Sequence, residues 1–93
     1  MYIIKGGRAT GKTYQLLEIA NREHGVVICK NPEAMRVKAI NFGFFNIKNF
    51  VSYADSVQWH TGESNVFLDE IEEYAKALVG RNLSGYTYTI EEE

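Results

Sequence analysis

A chain of 93 residues with 45% hydrophobic and 24% charged side chains has the make-up of an ordinary globular domain, which argues against disorder and leaves room for one compact domain over residues 1–93. No apolar run reaches the ~18–20 residues of a membrane-spanning helix, and the opening Met1-Tyr2-Ile3-Ile4-Lys5 is too short for a signal peptide, so a cytoplasmic protein without a membrane partner is expected. The net charge of −2 conceals an asymmetry: residues 1–48 carry eight Lys and Arg against three acids, a balance of +5, while residues 49–93 carry two against nine, a balance of −7. That overall field gives weak support for a nucleic-acid partner.

In chain order, Tyr2-Ile3-Ile4-Lys5 followed by Gly6-Gly7 reads as a buried strand entering a tight loop. Leu16, Leu17, Ile19 and Ala20 form an apolar stripe that predicts a helix over residues 12–23, with Gly25 as its stop. Val26-Val27-Ile28-Cys29 is a second strand, and the lone Cys29 is expected to be a buried, inert thiol. Asn31-Pro32-Glu33 supplies a cap, a first-position proline and a first-turn acid, predicting a helix to about Phe42 that ends at Gly43. Residues 49–53 read as a third strand, and residues 54–60 fit either a short helix or a loop. Val66-Phe67-Leu68 is a very short fourth strand, Ile71, Tyr74, Ala75 and Leu78 predict a helix stopped by Gly80, and residues 86–90 alternate as an edge strand. Alternating strands and helices predict an α/β fold: three layers, α/β/α, around a mainly parallel sheet of about five strands, with ligands at the carboxyl ends of the strands.

At that edge lies Gly6-Gly7-Arg8-Ala9-Thr10-Gly11-Lys12-Thr13, which fits G-x-x-x-x-G-K-[ST] at every position. The spacing lets successive backbone N–H groups curl around a β-phosphate, with glycine where the backbone must bend. Lys12 then reaches the β- and γ-phosphate oxygens, the Thr13 hydroxyl ligates Mg2+, and the following helix contributes its N-terminal dipole. Residues 6–13 together with Tyr14 form the expected nucleotide-binding set. The ligands expected are ATP or ADP, with GTP as the alternative, together with Mg2+.

Phosphoryl transfer also needs a carboxylate near the metal and a group that activates water. Asp69 and Glu70 follow an apolar strand about 55 residues downstream, so Asp69 is assigned to the metal and Glu70 to catalysis. Arg8 and Arg81 are the candidate arginines for stabilising transferred charge, the first in cis and the second toward a neighbouring subunit.

The two motifs together make the chain resemble a minimal, truncated P-loop NTPase of the group with an additional strand and a catalytic glutamate, which includes helicases, recombinases and viral DNA-packaging motors. The opening through Thr13, and Val26 to Lys30 with the helix after it, are similar to phage terminase large subunits. The resemblance implies a slow hydrolase, a viral accessory ATPase acting in the host cytoplasm, and a γ-phosphate contact for Arg8. Two alternatives stand beside it: a non-catalytic nucleotide-binding module that docks on a protein or nucleic-acid partner or on a second copy of itself, and a small-molecule kinase. Lys30, Arg36, Lys38 and Lys48 interleave with Phe42, Phe44, Phe45 and Phe50, a pattern read as core phenylalanines beside solvated lysines rather than a single-strand binding face. Tyr14 and Trp59 are candidates for stacking on a base. His24 and His60 lack companions at metal-ligand spacing, so no zinc site is expected.

Overall fold

The computed structural model describes residues 2–7, 11–58, 65–80, 83–85 and 87. Its elements run α1 (Lys12–Arg22), β1 (Val26–Cys29), α2 (Pro32–Asn41), β2 (Asn49–Ser52), α3 (Tyr53–Ser56), β3 (Val66–Leu68) and α4 (Ile71–Val79). The three strands form one parallel sheet in the order β2-β1-β3. The α/β class is thus observed, with three strands among the described residues where about five were expected. Residues 86 and 88–90, the alternating segment, lie outside the described residues except for Thr87, which is irregular.

The first expected strand is a correction. Residues 2–7 are irregular, with Tyr2 and Ile3 exposed. The Tyr2 ring stacks on Phe67 with centroids 6.5 Å apart, so the segment lies against β3 by side-chain contact without joining the hydrogen-bond ladder. β-branched character alone does not make a strand when the side chains gain no burial.

Strand register explains the core. Val27 lies opposite Phe50 on one side and Phe67 on the other, so this row points to one face of the sheet. On that face, Leu17 and Ala20 from α1 and Met35 and Ala39 from α2 complete a cluster that also takes in Cys29. The buried thiol expected of Cys29 is observed, and loss of hydration there pushes its pKa up to about 11.

The helix ends show why the chain turns where it does. At the end of α2, Gly43 sits at φ +84, with its amide on the Ile40 carbonyl and the Phe44 amide on the Ala39 carbonyl, a Schellman closure. α1 closes the same way, but the left-handed residue is His24, at φ +54, rather than Gly25. Gly25 is needed for a different reason: a Cβ there would collide with the Phe67 ring and lie 2.9 Å from the Asn65 carbonyl oxygen. Of the ambiguous stretch after β2, residues 54–56 belong to the single-turn α3, capped by Ser52 accepting from the Asp55 amide, while residues 59 and 60 lie outside the described residues.

Candidate functional site

Parallel pairing brings the start of α1 and the end of β3 together. The Asp69 amide donates to the Ile28 carbonyl at 2.9 Å, which carries the ladder one residue past β3 and anchors Asp69 at the carboxyl edge of the sheet. Across from it, the Thr13 hydroxyl donates to Asp69 Oδ1 over 3.5 Å. Since O–H···O bonds centre on about 2.7–2.8 Å, this is a juxtaposition held by the helix and the strand more than a strong bond. Lys12 and Glu70, the immediate neighbours of that pair, face each other with Nζ 3.9 Å from Oε1. With side chains 30% and 50% exposed, such a pair contributes at most about 1 kcal/mol.

Gly11 opens α1 in the left-handed region, φ 78, and having no side chain it offers no cap; the first turn of α1 also lacks an acid. The amides of a helix's first turn have no intrahelical partner, and here no carboxylate competes for them from within that turn. α2 differs: Asn31 accepts from the Ala34 amide and Glu33 occupies its first turn.

Asp69 is the electrostatic focus. Its carboxyl is raised above the usual aspartate range, first by loss of hydration and then by the Glu70 charge, with Lys38, the Thr13 hydroxyl and Lys12 pulling it back down. Two oxygen donors, the Thr13 hydroxyl and the Asp69 carboxylate, therefore converge. That donor set fits Mg2+, which binds oxygen ligands, takes one or two from protein and completes its shell with water and phosphate. Among the described residues there is no group of three or more His, Cys, Asp or Glu suited to a metal ion.

Of the expected site residues, Lys12, Thr13, Asp69 and Glu70 are brought together. Gly6, Gly7 and Gly11 lie in irregular backbone leading into α1. Arg8, Ala9 and Thr10 lie outside the described residues, as do Trp59, His60 and Arg81. Tyr14 packs edge-on against Phe42 at 4.9 Å and at a tilt against Phe44 at 5.3 Å. The phenylalanines are only partly core: Phe50 is buried beneath the Arg36 guanidinium, whereas Phe42 and Phe45 are exposed.

Two residues to which the sequence assigned no part in this site bear on it. Lys38 acts on the Asp69 charge from α2, and no motif marks it. Tyr53, which opens α3 directly after β2, donates its hydroxyl to the Asp69 main-chain oxygen at 2.9 Å. Burial and the nearby Asp69 push its pKa up to about 12, so it remains a donor at neutral pH. An aromatic residue at a strand's carboxyl end was the available signal. Compared with protein-family models, curated proteins and solved structures, the chain matches none. No helix among the described residues is long and apolar enough to cross a membrane.

Proposed function

We propose that this chain binds a nucleoside triphosphate, ATP or GTP, together with Mg2+, and hydrolyses it slowly. One observation carries the reading: Thr13 and Asp69, 56 positions apart, approach to 3.5 Å, and their neighbours Lys12 and Glu70 pair beside them. A glycine-rich turn occurring by chance before a helix carries no expectation that its Lys-Thr pair will meet an acid pair at a strand end.

In this reading the first-turn amides of α1 and the Lys12 ammonium take the phosphate oxygens, and Thr13 and Asp69 hold the cation. Bound Mg2+ would offset negative charge on the phosphates. Because the Lys12–Glu70 pair is exposed and weak, a polyphosphate readily displaces Glu70 from Lys12. Glu70 then accepts a proton from the attacking water. As the new P–O bond forms at the γ-phosphorus, the bond to the bridging oxygen breaks, releasing nucleoside diphosphate and inorganic phosphate.

Titration calorimetry with ATP, GTP and ADP, each with and without Mg2+, tests this, followed by phosphate release. Lys12→Ala is expected to weaken triphosphate binding by roughly 10- to 100-fold, the worth of its charge-assisted contacts. Glu70→Gln should bind within a few-fold of the parent while turnover falls by about 10²- to 10⁴-fold. Folded protein that takes up no purine triphosphate refutes the reading.

A second reading, a nucleotide-binding module that acts by docking, is favoured by α4. That helix buries none of its residues and leaves Ile71, Leu78 and Val79 exposed. Mg2+-nucleotide binding without multiple turnover would select it over hydrolysis.

A further inference from the structure

The acid pair sits on an unusual piece of backbone. Glu70 lies at φ 59, ψ 75, in the left-handed region that non-glycine residues seldom occupy. Side chains attached to such an elbow hold their directions only if the peptide units on either side are fixed.

Three hydrogen bonds fix them. The Asp69 amide is tied to Ile28, the Glu70 carbonyl accepts from the Tyr74 amide at 3.0 Å, and the carbonyl between them, that of Asp69, accepts from the Tyr53 hydroxyl at 2.9 Å. The first two belong to the ladder and to α4. The third comes from a side chain on a different element, and that side chain is itself clamped. Tyr53 is 6% exposed, its ring meets Tyr74 edge-on at 5.4 Å, and its own carbonyl accepts from Ser56 Oγ at 2.6 Å, while Ser56 Oγ also lies 3.4 Å from the Tyr74 hydroxyl.

We propose that Tyr53 is a positioning residue for the acid pair: its hydroxyl holds the peptide plane between Asp69 and Glu70, so that Asp69 faces Thr13 while Glu70 faces Lys12. The inference rests on the reading of those four residues as a Mg2+-nucleotide site. Without the hydroxyl, the plane is free to rotate about the elbow, and the two carboxylates lose their registration with α1 while α1 itself is untouched. The deficit should therefore fall on what the metal adds to binding, and on turnover, rather than on phosphate binding as such.

The experiment compares ADP affinity with and without Mg2+ in the full chain and in Tyr53→Phe, which keeps the ring against Tyr74. The expected result is a Mg2+-free affinity within about twofold of the parent, and a Mg2+-dependent gain smaller by roughly five- to tenfold, the worth of one well-aligned hydrogen bond. Tyr74→Phe, which removes a hydroxyl from the same cluster without touching the elbow, should leave that gain unchanged. An unaltered gain in Tyr53→Phe, an equal loss in both arms, or the same loss in Tyr74→Phe would assign Tyr53 a merely structural role and overturn the proposal. If Tyr53→Phe does not fold, Ser56→Ala decides, since it loosens the Tyr53 clamp: a reduced gain supports the proposal and an unchanged one overturns it. The parent arm separately judges the underlying reading, because a parent that binds no nucleotide, or binds it without regard to Mg2+, refutes the site itself and the proposal with it.

Discussion

The two halves of the candidate site are held by different physics. Lys12 and Thr13 begin α1, whose Leu17 and Ala20 are fully buried and which shares its core with Met35 and Ala39 of α2. Asp69 and Glu70 precede α4, which buries no residue of its own, and are held mainly by hydrogen bonds to Ile28, Tyr53 and Tyr74. Apolar packing is non-directional and spread over many atoms, so it resists small perturbations. A few directional bonds around a left-handed residue fix geometry finely and are lost one at a time. The half at the start of α1 is thus anchored, and the acid half is adjustable. The largest effect that tests this contrast is Leu17→Ala, expected to cost about 2–5 kcal/mol in denaturant unfolding, a large share of the total of roughly 5–14 kcal/mol for a domain of this length. A loss below about 1 kcal/mol would show that the α1 half is no better anchored than the other.

Much of the anchored half was legible beforehand, because its signals are local. The Leu17 and Ala20 stripe, the Asn31-Pro32 start and the Val26–Cys29 strand each rest on neighbours in sequence, and the structure reproduces them within a residue or two. Residues 2–5 misled because β-branched side chains promise a strand only if a partner covers them. Gly25 follows the end of α1 as expected, with its amide on the Ala20 carbonyl, but what demands glycine there is the Phe67 ring, 42 positions away. In the site, the pairing of residues 12 and 13 with 69 and 70 was readable from the two motifs together. The Tyr53 bond and the Lys38 charge depend on where the strand order β2-β1-β3 leaves α3 and α2 relative to Asp69, which no spacing rule encodes.

Asp69→Asn probes the adjustable half with a smaller effect. The side chain is isosteric and can still accept from Thr13, so the test isolates charge. Burial and Glu70 raise the folded-state pKa of Asp69 above its unfolded value of 3.8. The fold therefore favours the neutral carboxyl. The relative stability this confers is complete below the unfolded value and is lost as pH rises through the raised folded value. At pH 7 the ionised Asp69 is a cost, and Asp69→Asn should melt a few degrees higher than the parent, the gap closing as pH falls to about 4 and below. On the proposed reading, Mg2+-dependent nucleotide binding should move the opposite way, lost in the variant and, in the parent, fading with acid from a higher pH than an ordinary aspartate would give. A variant that melts lower at pH 7 would mean that Lys38, Lys12 and Thr13 outweigh desolvation, and that the acid half contributes to stability rather than drawing on it.

The smallest expected change lies on α4. Leu78 is 48% exposed and Val79 66% exposed, so Leu78→Ser removes little buried surface and should alter unfolding free energy by no more than about 0.5 kcal/mol, a shift of roughly 2–4 °C in Tm for a domain of this size. The measurement becomes informative when repeated over a range of protein concentration. If Ile71, Leu78 and Val79 are covered by a second copy in solution, the parent's Tm rises with concentration by mass action, and Leu78→Ser loses that dependence together with well over 1 kcal/mol. In that case the contrast between the two halves holds only for the isolated chain, and the acid pair acquires an apolar anchor from its neighbour. A concentration-independent Tm and a small shift leave the contrast intact: a packed helix presenting Lys12 and Thr13, facing an acid elbow steadied by a tyrosine hydroxyl.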